Sequence, residues 1–264
     1  MNDALTLAIV AILPVVLIGF YIYKKDREKE SKKLLLKLLL WGMLSCIPAI
    51  ILELVIQYRY FPDESSMSLQ TKFIYVFFDI ALVEEFCKWF FVYKKTYHSK
   101  EFNHIYDAVV YSVFVALGFA LLENICYIFL SGGITTAMLR AITAVPGHAI
   151  YGIIMGDYLG LAKQYELIGE NITSKFYLVV SIIIPAFAHT IYDYCILTGK
   201  AILLFVFIAF LIYLYIYSIK RVKKLSSISN NLDNRTWHNK CKMIKLYMYG
   251  VDVWWIQLKK LTLY

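Results

Sequence analysis

Cysteine patterns that build disulfide frameworks or zinc sites are missing from this sequence. Its five cysteines have no CxxC spacing and do not cluster, and four of them lie in apolar stretches: Cys46, Cys87, Cys126, Cys195 and Cys241. A thiol in an apolar helix behaves as a small hydrophobic group. The sequence therefore argues against a disulfide scaffold and against a cysteine-based metal site.

The sequence also lacks signatures of three other classes of segment. It has no glycine-rich phosphate loop and no internal repeat of the kind that indicates the inverted halves of a transporter. No basic region precedes the first apolar stretch, which follows Asn2 and Asp3 and ends in YIYKKDREKE rather than in small residues. We therefore expect a retained first helix instead of a cleaved signal peptide.

Long apolar stretches dominate what is present. Apolar residues make up 60% of the 264 residues and aromatics 17%, and the mean hydropathy is +0.62. A helix needs about 20 apolar residues to cross a bilayer. We predict an all-α, polytopic membrane helix bundle with seven spans, at about residues 4–23, 34–56, 73–93, 108–130, 136–162, 176–197 and 201–217. The fifth span is interrupted by Arg140, Pro146 and Asp157.

The distribution of Lys and Arg predicts the orientation of these spans, because short basic loops stay in the cytoplasm. With the N-terminus outside, the inner loops and the C-terminal tail carry 21 Lys and Arg, and the outer segments carry 3. This topology and contact with anionic lipid account for the net charge of +8 without nucleic acid. We expect an outer N-terminus and a cytoplasmic C-terminus.

Two domains follow from this topology. Residues 1–217 form the membrane domain, and residues 218–264 form a basic, aromatic cytoplasmic tail. The end of the tail, MIKLYMYGVDVWWIQLKKLTLY, mixes aromatics with lysines, as interfacial segments do. An interfacial segment and a terminus without a role both remain open.

Five ionisable residues interrupt the apolar segments: Glu84, Glu85, Glu123, His148 and His189. A charge at the bilayer centre costs about 3 kcal/mol or more, so each of them marks a functional site by default. With a rise of about 1.5 Å per residue, all of them lie roughly 10 to 18 Å below the outer surface. The sequence therefore predicts one shared layer of polar groups.

Spacing within the helices adds partners to this layer. Lys88 follows Glu84 by four residues, and Asp193 follows His189 by four, so each pair shares a helix face. Lys88 either neutralises Glu84 or takes a direct role. Asp193 either fixes the tautomer of His189 or acts as a second metal ligand.

Other polar and aromatic residues near the layer have supporting roles in this prediction. Phe119 is expected to pack rather than to take part in chemistry, and Asn124 is expected to orient Glu123. Asp79 and Arg140 are also nominally intramembrane, and we expect them to pair with each other or to lie near helix ends.

The available groups favour activation of water, because no serine or cysteine stands beside a base. A carboxylate takes a proton from water, and histidines stabilise the oxyanion or donate to the leaving amine. Alternatively, a divalent metal such as zinc generates hydroxide, and its candidate ligands are Glu85, Glu123, His148 and His189. Peptide-bond hydrolysis fits both versions, and the sequence does not choose between them.

Three motifs occur in the predicted helices: EExxK at Glu84, Glu85 and Lys88, FxxxE at Phe119 and Glu123, and HxxxD at His189 and Asp193. In their order and approximate spacing, over about residues 70–198, they resemble the PrsW intramembrane proteases. This family is related to the CAAX prenyl endopeptidases and to bacteriocin self-immunity proteins. The prenyl endopeptidases carry an arginine after the glutamate pair and an FxxxH motif. Trp89 and Glu123 stand at those positions here, which favours PrsW.

The resemblance implies a multi-pass endopeptidase of the bacterial plasma membrane. PrsW-type proteins make the first cut in a single-pass, membrane-bound anti-sigma factor, on or near the extracytoplasmic side, so the implied partners are such a substrate and the bilayer. The resemblance implies a catalytic set of Glu84, Glu85, Glu123, His189 and Asp193. His148 lies where related proteins often carry a further polar residue.

Two other functions remain as alternatives from the residues alone. Intramembrane acids and histidines also form proton relays, so a proton-coupled transporter or channel is possible. A relay should place acids along a path across the membrane, whereas these groups are predicted in one layer. A non-proteolytic scaffold or immunity protein is the third interpretation.

Overall fold

The computed structural model describes residues 3–63, 66–128 and 133–228, and the regular structure within these ranges is helical. The α-helices among these residues are α1 Asp3–Lys25, α2 Lys32–Tyr60, α3 Leu69–Tyr75, α4 Leu82–Val92, α5 Ile105–Tyr127, α6 Gly133–Ile142, α7 Ala144–Leu167, α8 Asn171–Leu197 and α9 Ala201–Ile228. The prediction of an all-α membrane bundle is confirmed.

Within the described residues, six helical stretches are long and apolar enough to cross a membrane: Thr6–Lys25, Lys32–Tyr60, Ile105–Tyr127, Gly133–Leu167, Asn171–Leu197 and Ala201–Ser227. The predicted span 73–93 lies in a further helical run, in which π-helical turns at Val76–Ala81 and Tyr93–Tyr97 flank α4. The run is divided into short elements by these turns, and no single element reaches the length of a span. The predicted sidedness of the helices stays a prediction.

The predicted fifth span, 136–162, is two helices rather than one. Thr143 leaves helical geometry between α6 and α7, with φ −120° and ψ −61°. Pro146 stands in the first turn of α7, where a missing N–H costs no intrahelical hydrogen bond. After the break, α6 contacts α1 and α5 as well as α7.

Helix α5 is the centre of the bundle. In its apolar window 83% of the residues are buried, against 22% in α1, α2 and α9. Glycines bring the neighbouring helices close to it: a Cβ at Gly42 of α2 or at Gly118 of α5 would lie 2.0 Å from a backbone oxygen of the facing helix. A Cβ at Gly156 of α7 would lie 2.5 Å from the oxygen of Ala108. Side chains on α2, α5 and α7 can therefore meet directly.

The outer helices expose large apolar side chains, as lipid contact requires. Phe20 is 62% exposed, Leu54 61% and Phe205 72%. Helix α9 continues to Ile228, so the first residues of the predicted tail are helical. The remainder of the tail, including its aromatic segment, lies outside the described residues.

Candidate active site

Four helices bring the predicted site residues into one connected group. Helix α4 supplies Glu84, Glu85 and Lys88, α5 supplies Phe119, Glu123 and Asn124, α7 supplies His148, and α8 supplies His189 and Asp193. A π-helical turn precedes α4, and such turns change the face that the following residues present. The group occupies the space between α4, α5, α7 and α8.

The Lys88 ammonium is at the centre of the group and is 0% exposed. Its Nζ lies 3.0 Å from Glu84 Oε2, 2.8 Å from Glu85 Oε1 and 2.9 Å from His148 Nδ1. An ammonium has three hydrogens to donate, and these contacts use all three. The centre of the Phe119 ring lies 4.0 Å from Nζ, so Phe119 packs against the Lys88 cation.

The contacts of His148 assign its tautomer. Because Lys88 can only donate, His148 Nδ1 accepts that hydrogen bond. The Nε2–H then donates to Glu123 Oε2 at 2.8 Å. His148 is therefore neutral in this arrangement and connects Lys88 to Glu123.

His189 has a different environment, because both of its ring nitrogens face carboxylates. Nδ1 lies 3.1 Å from Glu85 Oε1, and Nε2 lies 3.0 Å from Asp193 Oδ2. Ionised carboxylates only accept hydrogen bonds, so the doubly protonated imidazolium satisfies both contacts. The pair His189–Asp193 follows directly from its spacing of four residues.

Arg140 joins the site, although the sequence did not place it there. Its Nη2 lies 2.9 Å from Glu123 Oε2, and its Nε donates to Asn124 Oδ1 at 3.2 Å. Asn124 therefore orients Arg140 rather than Glu123 itself. Arg140 does lie in the last turn of α6, but the expected pair with Asp79 is wrong. Both carboxylate oxygens of buried Asp79 have no partner among the described residues.

Tyr151 is a second residue that the sequence did not single out. Its ring stacks on the His189 ring, with centroids 4.8 Å apart and planes at 22°, and it meets the His148 ring edge-on at 6.0 Å. Its position three residues after His148 puts it on the same face of α7. That spacing is the signal by which the sequence could have identified Tyr151. An aromatic side chain on a membrane helix, however, most often serves only in packing.

The site has more negative than positive groups. Two permanent cations, Lys88 and Arg140, face four carboxylates at Glu84, Glu85, Glu123 and Asp193. With His189 as an imidazolium the balance is four negative to three positive charges. One further positive charge, such as a proton, would neutralise the group.

Four residues have the chemistry and spacing of a metal site. Single ligand atoms of Glu84, Glu85, His148 and His189 all lie within 4.8 Å of one another. Carboxylates and imidazoles are ligands that zinc accepts. Glu123, expected among the ligands, contacts Arg140 and the far nitrogen of His148 instead. Lys88 donates to three of the four residues, so a metal ion and the ammonium compete for the same lone pairs.

Glu85 combines complete burial with a free oxygen. The residue is 0% exposed, and its Oε1 is held by Lys88 and His189. Its Oε2 is buried and has no hydrogen-bond partner within the described part of the chain. A buried polar atom of this kind usually has a partner. Glu85 therefore offers a rigidly held carboxylate oxygen that can accept a proton.

Comparison with known proteins identifies close relatives. A family model described as "PrsW family intramembrane metalloprotease" matches residues 30–219. Protease PrsW of Oceanobacillus iheyensis is 36% identical over 81% of this chain and 93% of the relative. The same protease of Geobacillus kaustophilus is 35% identical, over 70% and 77%, and that of Bacillus subtilis is 30% identical, over 83% and 94%. No solved structure matches the chain significantly.

These matches cover the helices that carry the polar group and most of the length of each relative. The chain is a multi-pass membrane peptidase of the bacterial plasma membrane, and it acts on a protein substrate in the membrane. The chain belongs to the PrsW family of intramembrane proteases.

Proposed function

We propose that this protease makes the first cut in a membrane-anchored anti-sigma factor, using water activated by Glu85. The observation that carries the mechanism is the free Oε2 of Glu85, a buried carboxylate oxygen with no partner among the described residues. The contacts of Oε1 with Lys88 and His189 hold the carboxylate in place, so Oε2 keeps its direction.

In this mechanism Glu85 is the general base. Its Oε2 takes a proton from water, the water oxygen forms a bond to the carbonyl carbon, and the π electron pair moves to the carbonyl oxygen. Glu85 then gives the proton to the amide nitrogen, the C–N bond breaks, and a carboxyl group and an amine are released. The cations of Lys88 and His189 offset the negative charge that collects at the site.

Glu84, Glu123, Asp193 and His148 have positioning roles. Asp193 holds His189, Arg140 holds Glu123, and Glu123 holds His148 against Lys88. If a zinc ion is bound, Glu84, Glu85, His148 and His189 would hold it, and it would act as a Lewis acid toward the carbonyl oxygen. Lys88 would then have to leave these donors, because both cations need the same lone pairs.

Cleavage in proteoliposomes tests the mechanism. The substrate is a purified single-pass anti-sigma factor, and the enzymes are wild type, Glu85→Gln and His189→Ala. Glu30→Gln is the matched control, since Glu30 is buried but bonds to Tyr111 near the other end of α5. We expect both site variants to lose at least about 10³-fold in kcat, and the control to stay within about twofold. Wild-type rates in both site variants would contradict this site.

Two further measurements test whether a metal is needed and whether the anti-sigma factor is the specific substrate. Cleavage that survives exhaustive chelation would exclude the version with a metal. Mass spectrometry of the products locates the cut, which we expect on or near the extracytoplasmic side of the substrate helix. An unrelated single-pass protein of the same topology is the control, and equal cleavage of both would contradict an anti-sigma factor as the specific substrate.

A further inference from the structure

Tyr151 carries a buried hydroxyl that nothing in the described part of the chain satisfies. The residue is 1% exposed, and its O–H has no hydrogen-bond partner among the described residues. Buried tyrosines usually find a partner for the hydroxyl, because an unmade hydrogen bond costs about 1 to 3 kcal/mol. Its ring, in contrast, is tightly placed on the His189 ring, with centroids 4.8 Å apart.

The hydroxyl lies in the layer of the site. A Cβ built on Gly147 would be 3.4 Å from the Tyr151 oxygen, so the phenol reaches back one turn along α7, beside the residue that precedes His148. This is the usual direction of a long side chain on a helix, toward the N-terminal end. The ring that carries this O–H contacts both histidines, which in turn contact Glu123 and Glu85.

The two cationic donors that contact Glu85 are already used. Lys88 donates its three hydrogens to Glu84, Glu85 and His148. His189 uses both nitrogens on carboxylates. The proposed hydrolysis still needs a hydrogen-bond donor for the carbonyl oxygen, which becomes negative when water adds to the carbon. Tyr151 is a donor in this layer with its hydrogen uncommitted among the described residues.

Asn124 is the competing donor, because its Nδ2 is also buried without a partner among the described residues. Its Oδ1 accepts from Arg140, which contacts the same Glu123 oxygen as His148. Tyr151 instead stacks directly on His189, which contacts Glu85. Tyr151 is therefore joined to Glu85 through a single residue, His189, and this connection favours it over Asn124.

We propose that the Tyr151 O–H donates a hydrogen bond to the substrate carbonyl oxygen and stabilises the oxyanion of the tetrahedral intermediate. This inference rests on the proposed function. The O–H keeps its proton throughout: the new bond is the one from water oxygen to carbon, the π pair goes to the carbonyl oxygen, and Glu85 carries the transferred proton. When the C–N bond breaks, the pair returns and the hydrogen bond weakens.

The test is Tyr151→Phe, which removes the hydroxyl and keeps the ring on His189. We expect kcat to fall about 10²- to 10³-fold, the effect of removing one oxyanion donor. KM and the melting temperature should stay close to wild type. Tyr106→Phe is the matched control, because that phenol is fully buried but donates to the Ile22 carbonyl oxygen, far from the site. Its kcat should stay within about twofold of wild type.

A second readout separates oxyanion stabilisation from a structural role. A peptide aldehyde of the cleaved sequence forms a tetrahedral hydrate, and the corresponding peptide alcohol does not. We expect Tyr151→Phe to weaken aldehyde inhibition about as much as it lowers kcat, and to leave alcohol inhibition unchanged. A variant that loses both inhibitors equally, or melts earlier with a raised KM, would overturn the proposal in favour of packing.

Three outcomes distinguish this inference from the proposed function. If Glu85→Gln is inactive and Tyr151→Phe cleaves at the wild-type rate, only the oxyanion role is wrong. If Asn124→Ala loses kcat while Tyr151→Phe does not, the donor is Asn124 and the proposal fails. If Glu85→Gln cleaves at the wild-type rate, the proposed mechanism fails first, and the oxyanion role fails with it.

Discussion

Helix α7 carries buried ionisable residues at two levels, and their partners differ. His148 belongs to the site, where four carboxylates share two permanent cations and the two histidines. Asp157, nine residues or about 13 Å along the helix, faces one arginine. Arg221 Nε lies 2.5 Å from Asp157 Oδ2, and its Nη2 lies 2.7 Å from Oδ1. Both oxygens of Asp157 are satisfied by a single opposite charge.

The difference between the two levels separates a structural ion pair from a site. Asp157 is 2% exposed, as deeply buried as the site residues, so burial of charge does not distinguish them. What distinguishes the His148 level is its surplus of negative charge and its uncommitted atoms, among them Glu85 Oε2 and the Tyr151 hydroxyl. A bidentate pair such as Asp157–Arg221 leaves nothing for a substrate to bind.

Of these changes, Lys88→Met is expected to have the largest effect, because Lys88 is at the centre of the site that contains His148. This change leaves Glu84, Glu85 and His148 without their shared donor. Removing one partner of a buried ion group costs about 3 to 5 kcal/mol. We expect a matching loss of stability in thermal unfolding, and cleavage below detection, because Glu85 is no longer held.

The controls for Lys88→Met separate charge from position. Lys94→Met, at an exposed lysine of the same helical run, should change neither property. The double variant Glu84→Gln with Lys88→Met removes one negative charge along with the cation, and it should regain part of the stability but no activity. Wild-type kcat in Lys88→Met would contradict the arrangement proposed for Glu85.

At the Asp157 level the same kind of change should affect stability alone. Arg221→Met leaves Asp157 buried against an apolar side chain, and we expect it to destabilise the protein by about 3 kcal/mol. The double variant Asp157→Asn with Arg221→Met should recover to within about 1 kcal/mol, because no buried charge remains. Thermal unfolding measures the stability, and kcat per folded protein is the second readout.

The two double variants should differ in activity: only the one at Asp157 and Arg221 should still cleave substrate. At the Asp157 level, stability and kcat per folded protein should both be near wild type. If the double variant at Asp157 and Arg221 stays inactive while it is stably folded, this pair takes part in activity and the comparison is wrong.

The sequence predicted those parts of the site that lie within one helix. The spacing of four residues gave the pairs Glu84–Lys88 and His189–Asp193, since neighbours on one helical face follow from the helical repeat. Apolar segment length likewise gave the membrane bundle, because a bilayer requires about 20 apolar residues per helix. These are local properties of the chain.

Contacts between helices were not predictable in the same way. Arg140 pairs with Glu123 because the chain breaks at Thr143 and α6 approaches α5; Pro146 marks the break in the sequence, but nothing in the sequence indicates the approach of α6 to α5. The contact of Lys88 with His148 depends on how α4 and α7 cross, with a π-helical turn before α4 setting which face is presented. Such geometry comes from packing of whole helices, which a single sequence does not encode by spacing.

The smallest effect is expected at Glu30. This residue lies between α1 and α2, outside the membrane spans and near the level of Asp157. Gly156 of α7 packs against the start of α5, and Tyr111 of that helix donates to Glu30 Oε1 at 2.5 Å. Burial raises the pKa of Glu30 from 4.5 to about 7, with the hydrogen bond from Tyr111 opposing the shift and the charge of Asp26 adding to it. The folded protein therefore keeps a proton on Glu30 that the unfolded chain has lost.

Because the pKa of Glu30 is higher in the folded state, its contribution to stability is complete below about pH 4.5 and is lost as the pH rises toward 7. We expect the melting temperature of wild type to fall between pH 5 and pH 8, and Glu30→Gln, which stays neutral, to flatten part of this slope. The kcat of Glu30→Gln should stay near wild type, because the residue lies at the other end of α5 from Glu123. A slope that is the same in wild type and Glu30→Gln would mean that Glu30 ionises alike in the folded and unfolded chains.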